Sequence, residues 1–100
     1  MKPNQYEIRE KIWLYPGLAS WHFITLPKQE SIEIKQLFGN IGRGFGSLPV
    51  KVTIGKTSWN TSIFPDKKAG AYLLPIKLDI RKKEHLKVAD LISCTIEIDI

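Results

Sequence analysis

Residues 47–64, SLPVKVTIGKTSWNTSIF, decide the fold class. Apolar residues alternate with others up to Gly55, and this period of two is that of a strand with one buried face. Gly55-Lys56 fits a two-residue hairpin turn of type II′, in which glycine comes first. The turn sets a register in which four pairs face each other: Ile54 and Thr57, Val52 and Trp59, Val50 and Thr61, and Leu48 and Ile63. Aromatic and β-branched side chains meet in these pairs, which favours a β-hairpin.

Four other stretches predict strands. In residues 91–100, LISCTIEIDI, alternation places five residues on one apolar face: Ile92, Cys94, Ile96, Ile98 and Ile100. In residues 6–15, YEIREKIWLY, the same period groups Tyr6, Ile8, Ile12 and Leu14. Residues 20–26, SWHFITL, are apolar on both faces, which predicts a central or covered strand. Residues 71–77, AYLLPIK, are short and contain a proline, which predicts an edge or irregular strand.

Two stretches predict short helices. Residues 27–39, PKQESIEIKQLFG, begin with a proline suited to the first helical position and end at Gly39, suited to a left-handed cap. Ile34, Leu37 and Phe38 lie at helical spacing, so we expect that face to pack on the sheet. In residues 79–86, DIRKKEHL, Asp79 is expected to cap a second helix that two apolar side chains anchor: Ile80 and Leu86.

About six short strands with two short helices predict a mostly-β barrel or sandwich. A length of 100 residues is close to the commonest domain size, so we expect one domain over residues 1–100. One cysteine excludes an intramolecular disulfide, and there is no Cys/His cluster typical of zinc, so no metal or other cofactor is expected. Cys94 shares a face with isoleucines, which predicts a buried, unreactive thiol.

The sequence has no run of about 18 apolar residues, so we expect no membrane-spanning helix. Its N-terminus, MKPNQYEIREKIW, is charged early and lacks the apolar stretch of a signal peptide. We therefore expect a cytoplasmic protein. Of the tryptophans, alternation places Trp59 toward the core and Trp13 on the polar face of its strand, where an exposed ring can stack on bases or sugars.

Basic residues are concentrated in one segment. Residues 67–87 contain seven basic and two acidic residues, and their net charge equals the +5 of the whole chain. If residues 77–83 are helical, Lys77 and Arg81 are four apart and share a face, where they can hold phosphate or carboxylate. The candidate anion-binding residues are Arg43, Lys77, Arg81, Lys82 and Lys83. A solvated basic helix is the simpler interpretation, because exposed charges are common.

Residues 39–46, GNIGRGFG, raise the question of a phosphate loop. Such a loop lies between a strand and a helix start, whereas here a helix comes first and a strand follows. The glycine spacing matches neither the dinucleotide-binding nor the Walker pattern, which favours a turn that needs positive φ. Arg43 leaves open a second hypothesis, a small-molecule or enzymatic pocket near the loop with Tyr72 and Thr61.

Seven segments, taken in order, resemble a family of small bacterial and archaeal proteins, number nineteen-oh-five in the series of domains of unknown function. They are WHFITLP (21–27), GRGFG (42–46), VKVTIG (50–55), TSIFP (61–65), YLLPIK (72–77), IRK (80–82) and LKVAD (86–90). The sequence departs from the family pattern at Ala89, where glycine is usual. The resemblance implies a double-split β-barrel and no catalytic residues.

The same architecture resembles that of swapped-hairpin transition-state regulators, which bind DNA as dimers. Fold analogy is a weak argument for function, although the charge distribution independently permits an anionic partner. We therefore favour a non-enzymatic binding module for an anionic partner, which can be nucleic acid or another anionic ligand. The small-molecule or enzymatic pocket near the glycine loop is the alternative.

Overall fold

The computed structural model describes residues 2–17, 21–41 and 46–99. It contains seven strands, β1 to β7: Gln5–Lys11, Trp13–Leu14, His22–Thr25, Leu48–Ile54, Thr57–Asp66, Ala71–Pro75 and Leu91–Ile98. Helix α1 spans Lys28–Phe38 and continues into a 3₁₀ turn at Gly39–Ile41, and helix α2 spans Leu78–Lys83. The predicted mostly-β, barrel-like fold with two short helices is confirmed.

The strands form one antiparallel sheet, curled into a half-barrel, in the order β1-β7-β4-β5-β6-β3-β2. Its two edge strands, β1 and β2, are separated in sequence by Ile12 alone. Ile12 donates its N–H to Asp90 O at 3.1 Å and accepts from Ala89 N at 2.8 Å. One continuous stretch of chain therefore supplies both edges, which is why residues 6–15 form two strands with different partners.

The predicted hairpin is confirmed in every pair of its register, from Ile54 opposite Thr57 to Leu48 opposite Ile63. Gly55, the first residue of the turn, has a φ of 57°, and the φ of Lys56 is not positive. A type II′ turn requires both conditions. Strand β4 lies between β5 and β7, so the hairpin forms the centre of the sheet.

The core contains buried side chains from β1, from β3 to β7 and from both helices. The predicted apolar face of β7 is buried from Ile92 to Ile98, while Ile100 lies outside the described residues. Cys94 is buried on that face, and burial raises its pKa to about 12. The prediction that Leu14 joins the core is wrong, because β2 leaves the β1–β7 ladder to pair with β3, and Leu14 is 49% exposed.

Helix α1 packs on the sheet through Ser31 and Ile34, with Phe38 half-buried. The Ser31 hydroxyl accepts a hydrogen bond from the Tyr72 N–H at 3.1 Å, which joins α1 to β6. The prediction that Leu37 packs on the sheet is wrong, because at about 100° per residue it lies beyond the edge of this stripe. The left-handed cap at Gly39 is also wrong: its φ is −57°, and the chain continues into the 3₁₀ turn.

Strand β6 is interior, between β5 and β3, so the prediction of an edge strand is wrong. Its proline, Pro75, is the last residue of the strand, where the missing N–H removes little of the ladder. Tyr72 and Leu74 are buried. Because β6 pairs with β3, the end of β6 and the start of α2 both lie beside β3.

Candidate aromatic–basic binding surface

Helix α2 presents the basic residues that the sequence singled out. It begins at Leu78, and Lys77 is the N-cap residue without a side-chain capping bond. The prediction that Asp79 caps the helix is wrong, because its carboxylate accepts from the adjacent Ile80 N–H at 3.0 Å, inside the first turn. An acidic residue in that turn still favours the helix through the macrodipole.

The helix ends in a Schellman motif. The Leu86 N–H donates to Arg81 O at 2.8 Å, and the His85 N–H donates to Lys82 O at 3.4 Å. His85 occupies the left-handed position with a φ of 56° and is exposed. This motif explains how so short a helix stops sharply within a lysine-rich segment.

Helix α2 is anchored to the central hairpin. Ile80 is buried in the core, and the Thr57 hydroxyl donates to a Glu84 carboxylate oxygen at 2.6 Å. The same carboxylate lies against Gly55, where a Cβ would clash with it. These contacts hold one side of α2 and leave Lys77 and Arg81 facing the neighbouring strands β3 and β6.

Lys77 and Arg81 line the same open cleft of about 310 Å³, together with Trp21, His22, Pro75, Ile76 and Leu78. The Arg81 Nε–H donates to Ile76 O at 3.2 Å, and its Nη1 lies 3.4 Å from His22 Nε2. A guanidinium has donors only, so Arg81 is the donor in this contact. Arg81 is therefore held in place, whereas Lys77 extends into solvent.

A second cleft of about 460 Å³ adjoins the first, and Trp21, Pro75 and Lys77 line both. Phe64 lines the second cleft, with Asn60, Thr61 and Ser62. Among the described residues, the lining of these clefts includes no acidic side chain. We call the two clefts together the aromatic–basic surface, defined by Trp21, Phe64, Pro75, Lys77, Leu78 and Arg81.

The aromatic side chains of this surface are exposed, 52% for Trp21 and 42% for Phe64. The Trp21 ring stacks on the buried Phe23 ring, with centroids 5.7 Å apart and planes 25° apart. Phe23 in turn contacts Trp13 at 5.4 Å and Tyr15 at 5.9 Å. Trp21 is therefore supported from below by a cluster of rings.

The sequence prediction chose a different tryptophan. Trp13 is half-buried in that cluster, and its Nε1–H donates to the Thr25 hydroxyl at 2.9 Å, so it is a supporting residue and not an outward platform. Trp59 packs against the core, as alternation predicts. Phe64 could have been found from the sequence, since it is out of phase with Ile63 and alternation turns it outward. The exposure of Trp21 could not be predicted in this way, because residues 20–26 are apolar on both faces.

The remaining predicted residues are distributed around the surface. Lys82 and Lys83 are exposed but line neither cleft, and at about 100° per residue Lys83 lies about 200° round the helix from Arg81. Arg43 lies outside the described residues. Binding by any of these side chains stays a prediction.

The alternative pocket near the glycine loop is not assembled in the described part of the chain. Thr61 lines the cleft with Phe64, whereas Tyr72 is buried beside Ser31 and lines a different cavity next to α1. Gly46 has a φ of 78°, which agrees with a turn that needs glycine. Residues 42–45 are not described, so a ligand at this loop stays a prediction.

The fold and its exposed clefts define a small, mostly-β domain without a group of metal-ligating side chains in residues 2–17, 21–41 and 46–99. The chain belongs to the family described as Domain of unknown function (DUF1905), whose sequence profile matches residues 9–96. The resemblance seen in the sequence is thereby confirmed. Comparison with curated proteins found no match. Within the described residues, no helix has the length and apolar character needed to cross a membrane.

Proposed function

We propose that this protein is a non-enzymatic binding module for nucleic acid, which it engages through the aromatic–basic surface. One observation carries the proposal: exposed aromatic rings and cationic side chains line the same two adjoining clefts, and no described lining residue is acidic. Nucleic acid matches both properties, because its phosphates attract lysine and arginine and its bases stack on aromatic rings.

The two cations of the surface suit different parts of phosphate binding. Arg81, held by Ile76 O and His22, presents a planar guanidinium of fixed orientation, which favours directed contacts to phosphate oxygens. Lys77 is an exposed point charge on a flexible stem and suits phosphates at variable distance. Lys82 is next to Arg81 on α2 and extends the positive potential along the helix.

A charge-matched comparison tests the proposal. Lys77→Ala with Lys82→Ala removes one positive charge from the aromatic–basic surface and a second one beside it on α2, and neither side chain has a hydrogen bond or ion pair within the described residues. Lys28→Ala with Lys35→Ala removes two charges from α1, outside both clefts. Fluorescence anisotropy of a labelled short oligonucleotide is measured for each variant across a salt series.

We expect wild-type binding to weaken steeply with salt, because bound lysines release counterions from phosphates. The Lys77/Lys82 variant should reduce the slope of log K against log salt by about 1.4, the value for two contacts to a single strand. The Lys28/Lys35 control should keep the slope. Equal slopes in both variants, or no binding at low salt, would contradict the proposal.

Arg81 is tested separately because its side chain also bonds the main chain. Arg81→Gln removes the positive charge, and its circular dichroism spectrum shows whether the fold is retained. We expect a folded protein with weakened binding and a shallower salt dependence. Unchanged binding by this folded variant would exclude Arg81 from the site.

A further inference from the structure

We infer that the nucleic acid bound at this surface is single-stranded, with unpaired bases stacked on Trp21 and Phe64; this inference rests on the proposed function. Both rings are exposed, and both belong to the lining of the cleft that also contains Lys77. The lysine lies where it can neutralise backbone phosphate while the rings take bases. Such pairing of aromatic platforms with a cation is how single strands are bound without sequence preference.

Trp21 is a preorganised platform. One face of its indole stacks on Phe23, and the side chain as a whole is 52% exposed. Phe23 is itself fixed by Trp13, whose indole N–H is bonded to Thr25. A base that stacks on Trp21 extends an existing stack, so little side-chain entropy is lost on binding.

The chemistry favours unpaired bases over a duplex. In a duplex, both faces of each base are already covered by neighbouring bases, so a ring on a protein surface cannot stack on them without unstacking the helix. The cations alone would bind either form, since both carry phosphates. The exposed rings therefore supply the discrimination, and the cations supply affinity that is common to both forms.

The first experiment compares three ligands of equal length at one salt concentration: oligothymidylate, the same strand with abasic sites, and a duplex. We expect oligothymidylate to bind about a hundredfold more tightly than the abasic strand, which keeps the phosphates but has no bases to stack on the two rings, at about tenfold for each ring. Binding of the duplex as tight as that of the single strand would overturn the inference, as would equal binding of the abasic strand.

The second experiment changes the rings. Trp21→Ala and Phe64→Ala should each weaken oligothymidylate binding about tenfold and leave abasic-strand binding unchanged. Trp21→Phe keeps a ring and should restore most of the binding. Leu91→Ala, which removes an exposed apolar side chain outside both clefts, is the matched control and should bind as the wild type.

Tryptophan fluorescence gives an independent readout. Oligothymidylate should quench wild-type emission through the stacked Trp21, and Trp21→Phe should bind without that quenching, since Trp13 and Trp59 are packed against protein. Salt-dependent binding of every ligand with no effect of the ring variants would overturn base stacking and leave the proposed function intact. Absence of binding to all three ligands would overturn both.

Discussion

The two halves of the sheet use their outward faces differently. In the half formed by β1, β7 and β4, the inward side chains are apolar and the outward ones are mostly polar, as in β7, where Ile96 is buried and Ser93 is exposed; Leu91, at the start of β7, is an exposed exception. In the half formed by β2, β3 and β6 with the end of β5, large rings also lie outside, Trp21 and Phe64 among them. We call these the aliphatic half and the aromatic half.

This difference separates residues that stabilise the fold from residues that the fold does not need. Burial accounts for the aliphatic half, where alternate side chains enter one core. Burial does not account for an indole that is 52% exposed beside a basic helix. Exposed rings grouped beside charges mark interaction sites more often than isolated exposed apolar residues do. The aromatic half is therefore where we place binding.

The largest effect is expected from truncating the core of the aliphatic half. Ile96 is fully buried in β7, so Ile96→Ala should lower the free energy of unfolding by about 2–5 kcal/mol, from lost transfer energy and the cavity left behind. Urea denaturation followed by circular dichroism measures the change. Leu91→Ala, on the exposed face of the same strand, should change the value by less than about 0.5 kcal/mol.

The next largest loss of stability is expected at the Gly55-Lys56 turn, which connects β4 to β5. Gly55→Ala combines positive φ with displacement of the Glu84 carboxylate from its hydrogen bond to the Thr57 hydroxyl, so we expect a loss of about 2 kcal/mol. Gly70→Ala has a similar φ of 63° but open space around the new methyl group, so about 1 kcal/mol is expected. Equal urea midpoint shifts for the two variants would show that the contact between Gly55 and the Glu84 carboxylate adds nothing to the stability of the fold.

Cys94 gives the aliphatic half a pH dependence. Its pKa is raised to about 12 by burial, whereas the thiol of an unfolded chain has a pKa of about 8.5. The unfolded state therefore loses its proton first, and stability falls as pH rises between these values, by about 1.4 kcal/mol per pH unit. Cys94→Ala should be less stable at pH 7 but should show a flatter decline at alkaline pH. Parallel declines would contradict burial of the thiol.

In the aromatic half, a small stability effect is expected. Trp21→Ala should cost about 1 kcal/mol, mainly from the lost stacking on Phe23. The same variant is expected to weaken binding of single strands about tenfold, so its effect on binding should exceed its effect on folding. A stability loss as large as that of Ile96→Ala would show that Trp21 belongs to the core.

Local chemistry explains what the sequence predicted well. The hairpin register follows from Gly55 and from alternation within one short segment, and both act between near neighbours in the chain. Lys77 and Arg81 line one cleft, which agrees with their four-residue spacing, although Lys77 is the N-cap residue and precedes α2. These features do not depend on which distant strands come together.

The wrong predictions concern features that depend on contacts between residues far apart in the chain. Leu14 is exposed because β2 changes partner at Ile12, and β6 is interior because β3 pairs beside it. No local pattern encodes either pairing. The exposure of Trp21 depends on the same strands, so the aromatic part of the surface could not be assigned from sequence. Of the predicted basic residues, Lys77 and Arg81 line a cleft, and binding by them stays a prediction.

The most direct test of the central claim is the salt dependence of oligonucleotide binding for the Lys77→Ala, Lys82→Ala variant and its Lys28→Ala, Lys35→Ala control. Both variants lose two positive charges, so they differ in where the charge was and not in how much was removed. We predict a shallower salt slope and weaker binding for the Lys77/Lys82 variant alone. Identical slopes for the two variants would show that binding, if present, follows net charge and that the aromatic–basic surface is not its site.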